Sequence, residues 1–341
     1  MAEPALRVGV LGAADIARRR VLPALAAEPE AEVVAVASRS LDRAAALAGR
    51  FGGRPVEGYD ALLAMDAVDA VYVPLPVALH AEWVERALRA GKHVLSEKPL
   101  TGDPLDTARL LRLARENGLV LMENVMFVHH QQHGVVRRLV EDGAIGAVRA
   151  FSAAFAMPPR PAGDIRYRPE LGGGALLDVG YYPVRAALHL LGDGLRVVGA
   201  TLERPAGSAV ETSGAALLRT PDGVTVHLVF GMEHSYRSAY ELWGSEGHIR
   251  VEPAFTPPAD HRAELRLLGP HGPRELLLGA DDQVAGTVRA FVAAVRAGAV
   301  DESTEARCLQ QARLLDEIRR RAEDDRQRSA WGEDTADDRH R

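Results

Sequence analysis

Short apolar runs alternate with amphipathic helical patterns through the first 125 residues, and this alternation restricts the fold more than any other feature of the chain. The spacing predicts strands at Arg7–Leu11, Val33–Ser38, Ala70–Val73, His93–Leu95 and Val120–Met122. Between them it predicts helices at Asp15–Ala27, Leu41–Phe51, Ala78–Ala90 and Leu105–Asn117. Near-continuous apolar strands need cover on both sheet faces, and intervening helices supply it in a doubly wound parallel sheet. After about Asn124 the pattern changes. Val135, Val136, Leu139 and Val140 form one helical stripe, stopped by Asp142-Gly143. Farther on, Val224, Val226, Leu228 and Phe230 alternate with Thr225 and His227, the period of a half-buried strand. The turn Thr220-Pro221-Asp222-Gly223 joins this run to Ala215–Arg219, and Tyr236–Trp243 and His248–Val251 continue the meander. An open, mainly antiparallel sheet is predicted, with a helix over Leu176–Leu191 on one face and the other face available to a second copy. Helices over Val284–Ala297 and Glu305–Ala322 end the ordered part.

At 341 residues the chain exceeds the size at which one core usually stops growing. The expected class is therefore α/β, with a parallel-sheet domain over 1–126, an α+β domain over 127–325 and a frayed or disordered charged tail over 326–341. A net charge of −6 without any Lys/Arg-rich block argues against nucleic-acid binding. The single cysteine, Cys308, excludes an intrachain disulfide; it shares a helical stripe with Ala312, Leu315 and Ile318, as a buried core thiol does. No apolar run reaches membrane-spanning length and the first residues do not read as a signal peptide, so a cytoplasmic protein without membrane partners is expected.

The first strand runs into Gly12-Ala13-Ala14-Asp15-Ile16-Ala17 at a helix start. In dinucleotide-binding turns three small residues allow the tight turn, the approach of the pyrophosphate, and close helix packing. Here Ala14 and Ala17 take the second and third places. At the end of the second strand NAD enzymes usually carry an acid for the ribose 2′-hydroxyl. This chain has Ser38-Arg39-Ser40 instead, a guanidinium and two hydroxyls that suit a 2′-phosphate. NADP is thus favoured over NAD. Pro74, Leu75 and His80, after the Ala70–Val73 strand, are candidate contacts to the same cofactor.

The lysines number two, Lys92 and Lys98, in a chain rich in arginine. Lys98 stands in Ser96-Glu97-Lys98-Pro99, at a strand's carboxyl end, where open α/β sheets bind ligands. A cation there can polarise a carbonyl or donate a proton. Downstream, Gly172-Gly173-Gly174 leads to Asp178 and Tyr182, four apart and on one helical face, with Pro183 predicting a kink. His129, His130 and His133 invite a metal reading. Neither an H-E-x-x-H arrangement nor a thiolate pair supports it, so no metal is expected.

In combination, the small-residue turn, Ser96-Glu97-Lys98-Pro99 and the triple glycine before Asp178-Val179-Gly180 resemble the glucose-fructose oxidoreductase/inositol dehydrogenase/MocA family, from about Arg7 to Ala322. The resemblance implies an N-terminal Rossmann domain, a C-terminal domain with an open antiparallel sheet, and a catalytic site between them. Many members carry His where Tyr182 stands. The segment Glu123–His133, with Val128 and Gln131 where relatives often have Arg and Pro, is similar to the sugar 3-ketoreductases of deoxysugar biosynthesis. So are Pro158-Pro159-Arg160 and Asp164-Ile165-Arg166-Tyr167. That narrower likeness implies NADPH-dependent reduction of the C3 ketone of a dTDP-linked 3,4-diketo-2,6-dideoxyglucose. A homo-oligomer formed through the open sheet face is expected from the sheet pattern.

On this reading Lys98 stabilises charge on the ketone oxygen and supplies the proton, and Tyr182 shares the hydrogen bond or relays the proton. Asp178 orients a sugar hydroxyl or holds Lys98 charged. Gly12, Ala13, Ala14, Asp15, Ile16, Ser38, Arg39, Ser40, Pro74, Leu75, His80, Glu97, Lys98 and Arg166 would contact the cofactor. A family oxidoreductase acting on a free sugar, an inositol or a dihydrodiol, or a non-catalytic NADPH sensor, would keep the same fold.

Overall fold

The computed structural model describes residues 4–337, with side chains up to Gln327. The chain divides into two compact units. One consists of residues up to His130 together with Asp282–Leu309, the other of Gln131–Asp281 and the chain from Gln310 onward.

The first unit carries strands β1 (Leu6–Leu11), β2 (Ala31–Ser38), β3 (Arg54–Glu57), β4 (Ala70–Val73), β5 (His93–Glu97) and β6 (Leu121–Asn124). They form one parallel sheet in the order β3-β2-β1-β4-β5-β6. The order reverses between β1 and β4, the crevice where ligands of such sheets bind. Helix α1 (Leu22–Ala27) follows a π turn over Ala17–Val21; α2 (Leu41–Phe51), α3 (Tyr59–Leu63), α4 (His80–Arg89) and α5 (Pro104–Glu116) follow in the chain. Helix α5 starts as its sequence dictates. Asp103 accepts the Leu105 N–H at 2.7 Å and Pro104 takes the first position, where its missing N–H costs nothing. Two apolar layers result, one around Val10, Leu22 and Tyr72, the other around Val73, Val84 and Leu110.

Strand β3 and helix α3 are additions to the sequence prediction. Arg54-Pro55-Val56-Glu57 has little of a strand's apolar alternation, and Pro55 is tolerated because β3 lies on the sheet edge.

The second unit begins with α6 (Gln131–Glu141) and β7 (Val148–Ala156), then α7 (Tyr181–Leu191). Strands β8 (Arg196–Glu203), β9 (Ser213–Arg219), β10 (Thr225–Gly231), β11 (Arg237–Gly244), β12 (His248–Val251), β13 (Arg262–Gly269) and β14 (Gly272–Ala280) complete it. The eight strands order as β14-β13-β12-β11-β7-β10-β9-β8. The β7–β10 pair is parallel and the remaining pairs are antiparallel, so the sheet is mainly antiparallel as predicted. Val226, Leu228 and Phe230 point inward and are buried, and α7 packs Val184, Ala187 and Leu188 over β7 and β10. On the opposite face Val229 and Trp243 are 48% and 64% exposed.

Helices α8 (Gln283–Ala297) and α9 (Glu302–Asp337) end the described chain. Val284, Val288, Phe291 and Val292 of α8 enter the core around Val8, Val10 and Tyr72. A contiguous division at 126/127 therefore needs correction: the chain returns to the first unit before it ends. Cys308 is buried in that unit's other apolar layer. Where a disordered tail is predicted from 326, α9 continues to Asp337; residues 338–341 of that tail lie outside the described residues. Among the described residues no helix is long and apolar enough to cross a membrane.

Candidate active site

Gly12 ends β1 with a φ of 132°, a conformation open to glycine at little cost. A Cβ at this position would meet the Leu75 side chain at 3.0 Å, so Leu75 closes one wall of the turn. Ala13 and Ala14 follow with half-buried small side chains, and Ala17 is fully buried where the helix packs back on the sheet. The turn leads into a helix start at Asp15 and Ile16, whose N–H groups and dipole favour an anion. The Asp15 carboxylate itself is engaged elsewhere: it pairs with Arg18 and, at 2.6 Å, with Arg19. Its pKa is lowered chiefly by the Arg18 hydrogen bond.

Beyond β2, Ser38 is buried and its hydroxyl accepts the Ser40 N–H at 3.3 Å; Arg39 is exposed. Arg43, one turn into α2, donates from Nη2 to the Ala13 carbonyl at 2.9 Å. A second guanidinium thus stands beside the cofactor turn. The sequence carries no periodic signal for it, because Arg39 lies ahead of the helix and only Arg43 is on α2.

The Lys98 segment is braced from three directions. His80 is 1% exposed, and its ring nitrogens face the carbonyls of Pro99 and Leu75 at 2.9 and 2.7 Å. Burial pushes its pKa down, against the opposing pull of those carbonyls and of Glu97. His80, expected as a cofactor contact, is therefore an internal brace between the Leu75 wall and the lysine loop. Glu123 accepts the Leu100 N–H at 2.8 Å. Glu97 turns inward: its Oε1 accepts from the Tyr72 hydroxyl at 2.7 Å and from Asn124 Nδ2 at 2.6 Å. Burial, then the Glu97 charge, raises the Tyr72 pKa well above the usual phenol value. The Glu97 carboxylate, expected as a cofactor contact, thus anchors the end of β5. Lys98, joined to Pro99 by a cis peptide, is half-buried at this strand end.

In the second unit, Gly172, Gly173 and Gly174 precede a π turn over Leu176–Gly180, which passes into α7 at Tyr181. Pro183 explains the switch, because it has no N–H for the Val179 carbonyl and the ladder widens ahead of it. Asp178 lies on the π turn and Tyr182 on the first turn of α7. Arg166 donates from Nε to Asp178 Oδ2 at 2.6 Å and from Nη1 to Asp164 at 3.1 Å. Burial disfavours the Arg166 charge, but Asp178 and Asp164 outweigh it and its pKa is raised. Arg166, expected to contact the cofactor, is thus committed to two carboxylates. The half-buried Tyr182 ring lies edge-on to Phe155 at 4.7 Å and beside Phe255 at 5.8 Å.

His133 belongs to this unit's interior, where Nδ1 meets the Tyr240 hydroxyl at 2.9 Å. Among the described residues no group of three or more His, Cys, Asp or Glu side chains is arranged to hold a metal. Tyr240 is buried, whereas Tyr236 is 55% exposed, its hydroxyl 2.9 Å from that of Thr256.

Comparison with known proteins places these features in a family. The model described as "Oxidoreductase family, NAD-binding Rossmann fold" matches residues 6–125, and that of the GFO/IDH/MocA C-terminal domain matches residues 133–250. A dTDP-3,4-didehydro-2,6-dideoxy-α-D-glucose 3-reductase of Streptomyces violaceoruber is 56% identical over 327 residues, covering 93% of this chain and 96% of the relative. One of the same description from Actinomadura kijaniata is 53% identical, covering 94% and 96%. The crystal structure of a 3-ketoreductase from Actinomadura kijaniata with NADP and TDP-benzene superposes with a TM-score of 0.91 at 52% identity, covering 94% of this chain and 98% of that one. With its parallel nucleotide-binding sheet, its Lys98 strand end and its glycine-led Asp178 helix, the chain belongs to the GFO/IDH/MocA family of oxidoreductases.

Proposed function

We propose that this protein reduces the C3 ketone of dTDP-3,4-didehydro-2,6-dideoxy-α-D-glucose to dTDP-4-dehydro-2,6-dideoxy-α-D-glucose with NADPH, supplying deoxysugars for antibiotic-type natural products. The observation that carries this reading is identity above half, over more than nine-tenths of the chain, to 3-reductases of that substrate. The fit of the first unit to NADP supports it. The open Gly12 turn leads into a helix start, β2 ends without an acid, and Arg39 and Arg43 stand by for a 2′-phosphate. Gly12, Ala13, Ala14 and Ile16 would hold the pyrophosphate through backbone, and Ser38, Arg39, Ser40 and Arg43 the phosphorylated ribose.

When bound, NADPH supplies a hydride to the ketone carbon. The chain's own part is to manage the charge and the proton. The Lys98 ammonium stabilises negative charge growing on the ketone oxygen and delivers the proton. Tyr182 adds a hydroxyl donor from an aromatic seat that fixes its ring. Asp178, held by Arg166, orients sugar hydroxyls. A cytoplasmic setting belongs to the same reading, since the reductant is NADPH. Homo-oligomer formation through the outer sheet face, where Trp243 is exposed, is part of it as well.

The test is to generate the diketosugar in situ and follow NADPH consumption with product identification. Stoichiometric formation of the 3-hydroxy sugar is expected. Turnover of free sugars, inositols or dihydrodiols with NADP, and none of the nucleotide sugar, would overturn the proposal.

A further inference from the structure

Glu211 takes no part in the reaction as described, yet its position ties it to the helix that bears Asp178 and Tyr182. It lies two residues ahead of β9. Its Oε1 accepts the Leu176 N–H at 3.2 Å, and its backbone carbonyl accepts the Ala175 N–H at 2.9 Å. Leu176 opens the π turn that carries Asp178 and runs into Tyr182. The N–H groups of a helix start lack partners within the helix and bear partial positive charge, so a carboxylate placed there holds the start in one orientation.

The glycine run is shaped around this contact. Gly174 has a φ of 122°, and a Cβ on it would collide with the Glu211 carboxylate. Gly173 does the same for the neighbouring strap: a Cβ there would meet the carbonyl oxygens of Arg166 and Arg168 at 2.5 and 2.8 Å. The Gly174 N–H donates to the Arg166 carbonyl at 2.9 Å and the Gly173 N–H to the Arg168 carbonyl at 3.0 Å. Two consecutive glycines thus admit two different supports of the same helix start. One is the Arg166 segment, whose side chain grips Asp178; the other is the Glu211 carboxylate.

We infer that Glu211 is a positioning residue for the reaction, fixing through the Leu176 amide the helix start on which Asp178 and Tyr182 are set. The inference rests on the roles proposed for those two residues. It is a role for an acceptor rather than for a charge: an amide oxygen at the same place would serve, and a side chain without an acceptor would not.

The experiment compares Glu211→Gln, Glu211→Ala and Glu211→Asp in the full-length protein. Turnover is normalised to NADPH-binding sites, and amide hydrogen exchange is followed over residues 174–182. Glu211→Ala is expected to lower kcat roughly tenfold, the equivalent of one lost helix cap, with the Kd for NADPH unchanged. Exchange in 174–182 rises by a similar factor. Glu211→Gln stays within about threefold on both readouts. Glu211→Asp, one methylene short of Leu176, keeps charge and size close to native should the alanine variant not fold, and follows the loss. Near-native kcat and exchange in the variants lacking the acceptor would overturn the inference, as would equal impairment of the glutamine and alanine variants. If the wild-type protein leaves the nucleotide sugar unreduced, the proposed function fails, while the exchange comparison still decides the role of Glu211.

Discussion

Arg166 and Asp178, twelve residues apart, form an ion pair with Nε and Oδ2 2.6 Å apart, and a second arm of the same guanidinium reaches Asp164. One cation therefore settles two carboxylates and fixes the orientation of Asp178. A lysine has one compact charge and cannot reproduce the forked contact. Arg166→Lys is expected to lower kcat/KM roughly tenfold, and Asp178→Asn to do so comparably. The double variant should be no worse than the worse single one, since both remove the same contact. Steady-state kinetics on the four proteins checks this; additive losses would mean that the two residues act separately.

Lys98→Ala is expected to cost roughly a hundredfold to ten-thousandfold in kcat, the usual contribution of a positioned acid. The Kd for NADPH should change little, because the pyrophosphate turn lies on β1 and not on β5. Tyr182→Phe keeps the ring on Phe155 and loses only the hydroxyl, so a smaller effect, within about tenfold, is expected. Near-normal turnover by Lys98→Ala would sink the assignment of the proton donor.

Arg43→Ala should weaken NADPH binding on two counts, loss of a phosphate partner and loss of the strap to the Ala13 carbonyl. Roughly a tenfold rise in KM for NADPH is expected, with a smaller change for NADH. Arg39→Ala should narrow the preference further, and the double variant should approach parity between the two cofactors. KM values for both reductants decide the matter. A uniform loss with NADPH and NADH would place Arg43 in the turn's architecture alone.

Acid should loosen the first unit through His80. Burial lowers its pKa in the folded state, so the unfolded chain binds the proton more readily. The stability held by neutral His80 is fully present above the ordinary imidazole pKa of about 6.5 and drains away as pH falls below it. His93, lowered chiefly by partial burial, acts with the same sign. The melting temperature of the cofactor-free protein should thus drop between about pH 7 and about pH 5. His80→Gln should flatten that slope without abolishing it. An unchanged slope in the variant would assign the acid sensitivity to other groups.

What could be read without the structure follows from how local each signal is. The strands around Val8, Val36 and Val71 declare themselves by unbroken apolar runs, and Lys98 by standing where one such run stops. Ser38-Arg39-Ser40 is equally local. Arg43 escaped because its value comes from reaching back thirty residues to the Ala13 carbonyl, a contact between two elements that a correctly placed α2 does not reveal. The bracing role of His80 was hidden for a related reason. A polar residue after a strand end suggests a ligand, and only the folded chain reveals two carbonyls already facing its ring. Arg166 and Asp178 were both singled out, but their attachment to each other runs through the glycine run and leaves no periodic trace. Strand β3 lacks an apolar pattern because an edge strand has little to bury. Helix α8 has a clear pattern that says nothing of which core it enters.

The return of α8 to the first core bears on how the protein can be rebuilt. Residues 131–281 interrupt a nucleotide-binding scaffold whose final layer is written after them, and the chain from Gln310 onward rejoins the second unit. Truncation near residue 126 would strip Phe291 and Val288 from the apolar layer over β1 and β4 and leave a scaffold with an open flank. A chimaera meant to exchange substrate preference between relatives should carry three splice points, near 130, 282 and 310, and keep α8 with the recipient's own β1.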